Sequence, residues 1–147
     1  MKLSGGDKVV IKLAEIAREA KSGSYVRVGF LEGSTYPDGT PVALVAAVQD
    51  FGSPRNNIPS RPFFRNMIRD KSAEWPVTLG KLMKNANYNA RTALGQMGAI
   101  MVGQLRDSIT DGTYVPLAPA TVARKGFAQT LVDQGVLLNS VDSEVVE

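Results

Sequence analysis

"IPSRPFFRNMI", Ile58 to Ile68, sets Ser60 and Arg61 between two prolines and follows them with two adjacent phenylalanines and a second arginine. Pro59 and Pro62 remove backbone donors and push the residues before them into extended conformations, which excludes helix across Ser53 to Arg61. The expectation is an extended arm or loop at about 53–62. Proline is tolerated in a first turn, so a helix is expected from Pro62, with Phe63, Phe64, Met67 and Ile68 on one side of it. The phenylalanines then have two readings. Either they plug the core, or Phe63 or Phe64 stands on an exposed, proline-stiffened arm and anchors in a neighbouring subunit, with Arg61 and Arg65 beside it as rim or charge-pair residues.

On the N-terminal side, "PVALVAAVQDFG" (Pro41 to Gly52) is apolar nearly all round and predicts a helix buried on more than one side, with Thr40 as its N-cap and Gly52 as its stop. "YPDGTP" (Tyr36 to Pro41) predicts a tight turn. Tyr25 to Leu31 alternates, with Val26, Val28 and Phe30 on one face, as a half-buried strand does. Asp7 to Ala20 carries Val9, Val10, Leu13, Ile16, Ala17 and Ala20 at the spacing of one buried helical stripe, capped by Ser4 or Asp7 and stopped at Gly23.

On the C-terminal side, apolar residues from Leu79 to Ile109 recur every three or four positions, which predicts one long helix near 77–109. Ala90, Ala93, Gly95, Gly98, Ala99 and Gly103 make that helix rich in small residues, which favour close approach of another element. Beyond the break at Asp111 and Gly112, short helices are expected at 119–125 and 130–140. A terminal strand over 141–147 follows, in which Val141, Ser143 and Val145 alternate with Asp142 and Glu144. Together these give an α+β fold in one domain, 1–147, with a small sheet packed by several helices.

The chain has 147 residues, 44% of them apolar, enough to build a core. It contains no cysteine and no histidine, which removes thiol nucleophiles, disulfides, the commonest zinc ligands and the commonest general base near neutral pH. Lys71 with Ser72, and Asp107 with Asp111, are the nearest approaches to a catalytic or cation-binding pair, and neither has the spacing of a specific motif. The expectation is a non-enzymatic protein with no catalytic, metal or cofactor site. No apolar run is long enough for a membrane helix.

The net charge of +3 is unevenly spread. Residues 53–91 hold eight basic and two acidic residues, while 92–147 hold three basic and six acidic. Arg55, Arg69, Lys71, Lys81, Lys84 and Arg91 are therefore candidates for facing DNA or for pairing with an acidic surface of an adjoining subunit.

Three segments in order, "VALVAAVQDFGSPRNNIPSRPFFRNMI" (Val42 to Ile68), "YVPLAPATVARKG" (Tyr114 to Gly126) and "TLVDQGVLLNSV" (Thr130 to Val141), resemble tailed-bacteriophage virion morphogenesis proteins of the neck and tail-completion group. The chain departs from that pattern at Gln49-Asp50, where an acidic pair or His-Glu is common, and at Gln134 in place of Thr. The resemblance implies an α+β subunit in a ring, commonly sixfold, at the head-tail junction of a virion assembled in the host cytoplasm. Its partners would be copies of itself, connector or head-completion proteins, tail-terminator or tail-tube proteins, and packaged DNA in the lumen. Arg61, Pro62, Phe63, Phe64 and Arg65 are the expected subunit-interface residues. The alternatives are a tail-terminator or other virion ring protein and, from another class, a small basic DNA-binding module.

Overall fold

The computed structural model describes residues 4–21, 23–111 and 135–147. Its elements in chain order are α1 (Gly5–Lys21), β1 (Tyr25–Phe30), α2 (Val42–Phe51), α3 (Phe63–Lys71), α4 (Trp75–Asn85), α5 (Ala90–Asp111), a single-turn α6 (Val136–Asn139) and β2 (Val141–Val146). The fold is α+β, rich in helix, with one two-stranded sheet. The expected helix at 119–125, the first half of the one at 130–140 and the Tyr114 to Gly126 segment lie outside the described residues.

The two strands run antiparallel, with Tyr25 opposite Val146 and Phe30 opposite Val141. This register puts Val26, Val28 and Phe30 on the same face as Val145, Ser143 and Val141, and that face lies on α5. On the other face Arg27 donates to Glu144 across the strands at 2.6 Å. Two strands alone are marginal in water, so the pair depends on the helix beneath it. The closest approach is at Gly98, where a Cβ would stand 2.7 Å from the Ser143 hydroxyl oxygen and 2.9 Å from a Val26 methyl. The stripe of small residues thus serves close packing at this point, whereas Gly103 faces open space.

The core joins Val42 and Ala46 of α2, Phe63 and Met67 of α3, Leu105 and Ile109 of α5, Leu137 and Val141. α3 and α4 also pack on α5, which makes α5 the centre of the described residues. The Trp75 indole N–H donates to the Gln104 side-chain oxygen at 2.8 Å, and the Ser108 hydroxyl donates to the Phe63 carbonyl at 2.6 Å. Among the described residues no buried side-chain nitrogen or oxygen lacks a hydrogen-bond partner.

The single helix expected near 77–109 is two helices. Residues 86–89 form a turn in which Asn87 and Tyr88 take positive φ of 51° and 62°. The Tyr88 amide donates back to the Met83 carbonyl at 2.7 Å, closing α4, and the Asn89 side chain accepts from the Thr92 amide at 2.9 Å, capping α5. Asparagine supplies both functions, left-handed backbone and N-cap, so "NANYN" (Asn85 to Asn89) punctuates the chain without glycine or proline.

α1 and α2 also differ from expectation. α1 forms, with Ser4 and Asp7 bonding reciprocally as a cap, but its apolar stripe faces outward; Val9, Val10 and Leu13 are 58%, 65% and 60% exposed. α2 buries only Val42, Ala46 and Asp50, and leaves Ala43, Leu44, Ala47 and Phe51 exposed. Its N-cap is Pro41, not Thr40, because Thr40 is held in the preceding turn, where its amide donates to Asp38 at 2.9 Å. That hydrogen bond holds the Asp38 carboxyl below its ordinary pKa.

Gly98→Val is expected to cost about 2–3 kcal/mol through overpacking against β1 and β2. Gly103→Ala, with nothing near its Cβ, should instead stabilise by up to about 1 kcal/mol. Thermal melts of the two variants measure the difference; equal melting temperatures would contradict the packing described.

Candidate subunit interface

The proline-bracketed segment is not a free arm. Ser53 and Ile58 bridge to each other around a short 3₁₀ turn at Pro54–Asn56, and the chain then returns along the end of α2. The Arg61 amide donates to the Gln49 carbonyl at 2.7 Å, and its guanidinium donates to the Gln49 side-chain oxygen at 2.9 Å. Arg61 is buried, and burial pulls its pKa below the ordinary arginine value.

Asp50 organises this return. A carboxylate in the last turn of a helix opposes the negative end of the helix dipole and needs a partner elsewhere. Here Asp50 is buried and one of its oxygens accepts the Phe64 and Arg65 amides at 2.9 and 3.3 Å, so it caps α3 from the end of α2. Its other oxygen accepts from Arg65 Nε at 2.7 Å, and Arg65 Nη2 donates to the Asp50 carbonyl at 2.7 Å. The Ser60 hydroxyl donates to that same carbonyl at 2.7 Å. The guanidinium lies 4.8 Å from the centre of the Phe51 ring, a cation–π distance.

Gly52 makes the junction possible. Its φ of 76° with ψ of 173° is open essentially to glycine alone, and a Cβ there would stand 2.7 Å from the Ser60 amide nitrogen. "DFG" (Asp50 to Gly52) is therefore a helix end, as its sequence implies, and also the fixture that orients α3.

Of the expected interface residues, Phe63 is fully buried in the core of its own subunit, edge to face with Phe30 at 6.0 Å between ring centres. The exposed-arm reading of Phe63 and Arg61 is therefore corrected: the core-plug reading describes Phe63, and Arg61 serves the α2–α3 junction. Pro62 is half-buried at the N-cap of α3. Phe64 is half-buried against Gly29, and Arg65 is half-exposed through its Asp50 pair. Phe64 and Arg65 remain at the surface of an apolar groove of about 410 Å³ between α2 and α3, with Ala43, Ala47, Phe51 and Ile68 in its walls and Phe30 and Phe63 beneath. Sequence reasoning did not find Asp50 as the organiser; the signal was an acid at a helix C-terminus, where it is unfavourable unless paired.

The cationic residues fall on four separate pieces of structure. Arg55 lies in the 3₁₀ turn, Arg69 and Lys71 at the end of α3, Lys81 and Lys84 on α4, and Arg91 in the first turn of α5. Arg69 pairs with the adjacent Asp70 at 2.8 Å, and Arg91 with Glu147 at 3.3 Å. Arg55, Lys71, Lys81 and Lys84 are exposed, and no acidic partner lies within ion-pair distance of them among the described residues. Among those residues there is also no cluster of three or more acidic residues able to hold a metal ion, and no helix long and apolar enough to cross a membrane.

Asp50→Ala removes a cap and a buried ion-pair partner together and is expected to cost about 2–4 kcal/mol. Gly52→Ala should cost about 3 kcal/mol, whereas Arg55→Ala, at an exposed site, should cost under about 0.5 kcal/mol. Urea unfolding of the three variants reads these directly, and an Asp50→Ala midpoint equal to that of Arg55→Ala would refute the capping role. Comparison of the chain with protein-family models, curated proteins and solved structures returns no match.

Proposed function

We propose that this is a structural, non-catalytic subunit that works by associating with copies of itself in a ring at the head-tail junction of a tailed bacteriophage, joining connector to tail around the DNA path. The observation that carries the self-association is the exposed apolar surface. Val9, Val10 and Leu13 on α1, and Leu44, Phe51 and Ile68 on α2 and α3, are each at least 40% exposed. Contiguous apolar surface at this level marks protein contact sites more often than idle surface. The assignment to a phage neck or tail-completion ring rests on the order of the three sequence segments given above, and the sixfold count rests on the same resemblance.

The cations without an acidic partner supply a second part of the reading. Lys81 and Lys84, both exposed on α4, together with Arg55 and Lys71, are suited to face packaged DNA in a lumen or the acidic outer face of β2, with Asp142 and Glu144, on an adjoining subunit. A free-standing DNA-binding module remains the alternative from another class, favoured by the same four residues.

Native mass spectrometry of the protein, alone and with tail components, is expected to show a closed oligomer; monomer at every concentration would refute the ring. Lys81→Glu with Lys84→Glu should leave the monomer's melting temperature within about 2 °C of the parent, since both residues are exposed, and should lower the yield of infectious particles at least tenfold. Unchanged yield would remove the role given to α4.

A further inference from the structure

We infer that the apolar stripe of α1 in one copy occupies the groove between α2 and α3 of a second copy. This deepens the self-association reading and rests on it.

The two surfaces are complementary in kind, and among the described residues both are left exposed. α1 has an apolar side centred on Val9, Val10 and Leu13 that is largely exposed, and among the described residues it is held to the rest of the chain chiefly at one flank. There Lys12 donates to the Asn87 carbonyl at 3.2 Å and Ile16 is half-buried beside the turn between α4 and α5. The groove is walled by small residues at the centre, Ala43 and Ala47, and by Phe51 and Ile68 at the rim, so a helix can approach closely and insert side chains spaced i and i+4. Its lining is almost entirely apolar, and the two charged groups at its edge, Asp50 and Arg65, already satisfy each other.

Geometry selects another copy over the same chain. α1 leads into the Tyr25 end of β1 and rests on the turn before α5, whereas Phe30, at the far end of β1, floors the groove. Six residues of strand separate these ends by about 17–20 Å. Surfaces at opposite ends of a subunit associate head to tail, which closes into a ring or runs on as a filament. At roughly 100 Å² apiece, Val9, Val10, Leu13, Phe51 and Ile68 bring about 500 Å² of apolar surface to each contact, the apolar centre of a standard interface of ~1,200–2,000 Å².

The chain has no cysteine, so paired thiols can be introduced without background. Leu13→Cys and Ile68→Cys proteins, made separately, mixed and oxidised, should give a disulfide-linked heterodimer, and the double variant should give a ladder of linked chains. Leu13→Asp should raise the concentration needed for association at least tenfold while leaving circular dichroism unchanged, and Ile68→Asp on the opposite surface should do the same. Oligomers that form without the Leu13–Ile68 link and tolerate both aspartates would overturn this contact but not the ring. Only intrachain linkage in the double variant, or a small-molecule mass adduct in the groove with no link, would overturn it too. A protein monomeric at all concentrations would overturn both.

Discussion

One buried carboxylate holds the arrangement of this fold. Asp50 ends α2, starts α3 and binds Arg65 in the same few ångströms, so the angle between the two helices is set by hydrogen bonds rather than by packing alone. That angle places Phe63 and Met67 in the core against Leu105 and Ile109, and it opens the apolar groove on the outer side. The strained glycine after Asp50 belongs to the same device, because the chain must turn where no side chain fits. Core and groove are two faces of one junction.

The rest of the subunit is built on α5. The two strands lie across it, with Gly98 as the point where backbone meets sheet, and α3 and α4 flank it. α1 is the exception. It is a well-capped helix with an apolar side left exposed among the described residues, and most of the stability of a short helix comes from packing that side against something. On the proposed reading, α1 gains that packing by association with another copy.

Much of this was legible in the residues. Alternation located both strands, periodicity located α1, α3 and the helical stretch that α4 and α5 share, and an apolar run closed by Gly52 located α2. What failed did so for identifiable reasons. Periodicity reports which side of a helix is apolar and not what covers it, so the stripe of α1 and the outer side of α2 both read as buried. The long helix was divided by asparagines, which adopt left-handed backbone as glycine does but carry a weaker signal. The proline-bracketed segment read as an extended arm or loop because Pro59 and Pro62 exclude helix, and that reading left Arg61 and Arg65 at the surface. Arg61 instead donates into Gln49, and Arg65 reaches the one acid that α2 presents at its end. Partners separated by 12 and 15 residues are not visible to a reading that considers one element at a time.

The account stands on association through surfaces the lone subunit leaves open, and amide hydrogen exchange followed across a dilution series tests that most directly. Amides of Gly5–Lys21 are predicted to exchange rapidly in dilute protein and to become protected as oligomer forms, while the α5 segment around Leu105 stays protected throughout. Protection of α1 that does not change with concentration, in a sample where oligomers are present, would contradict it.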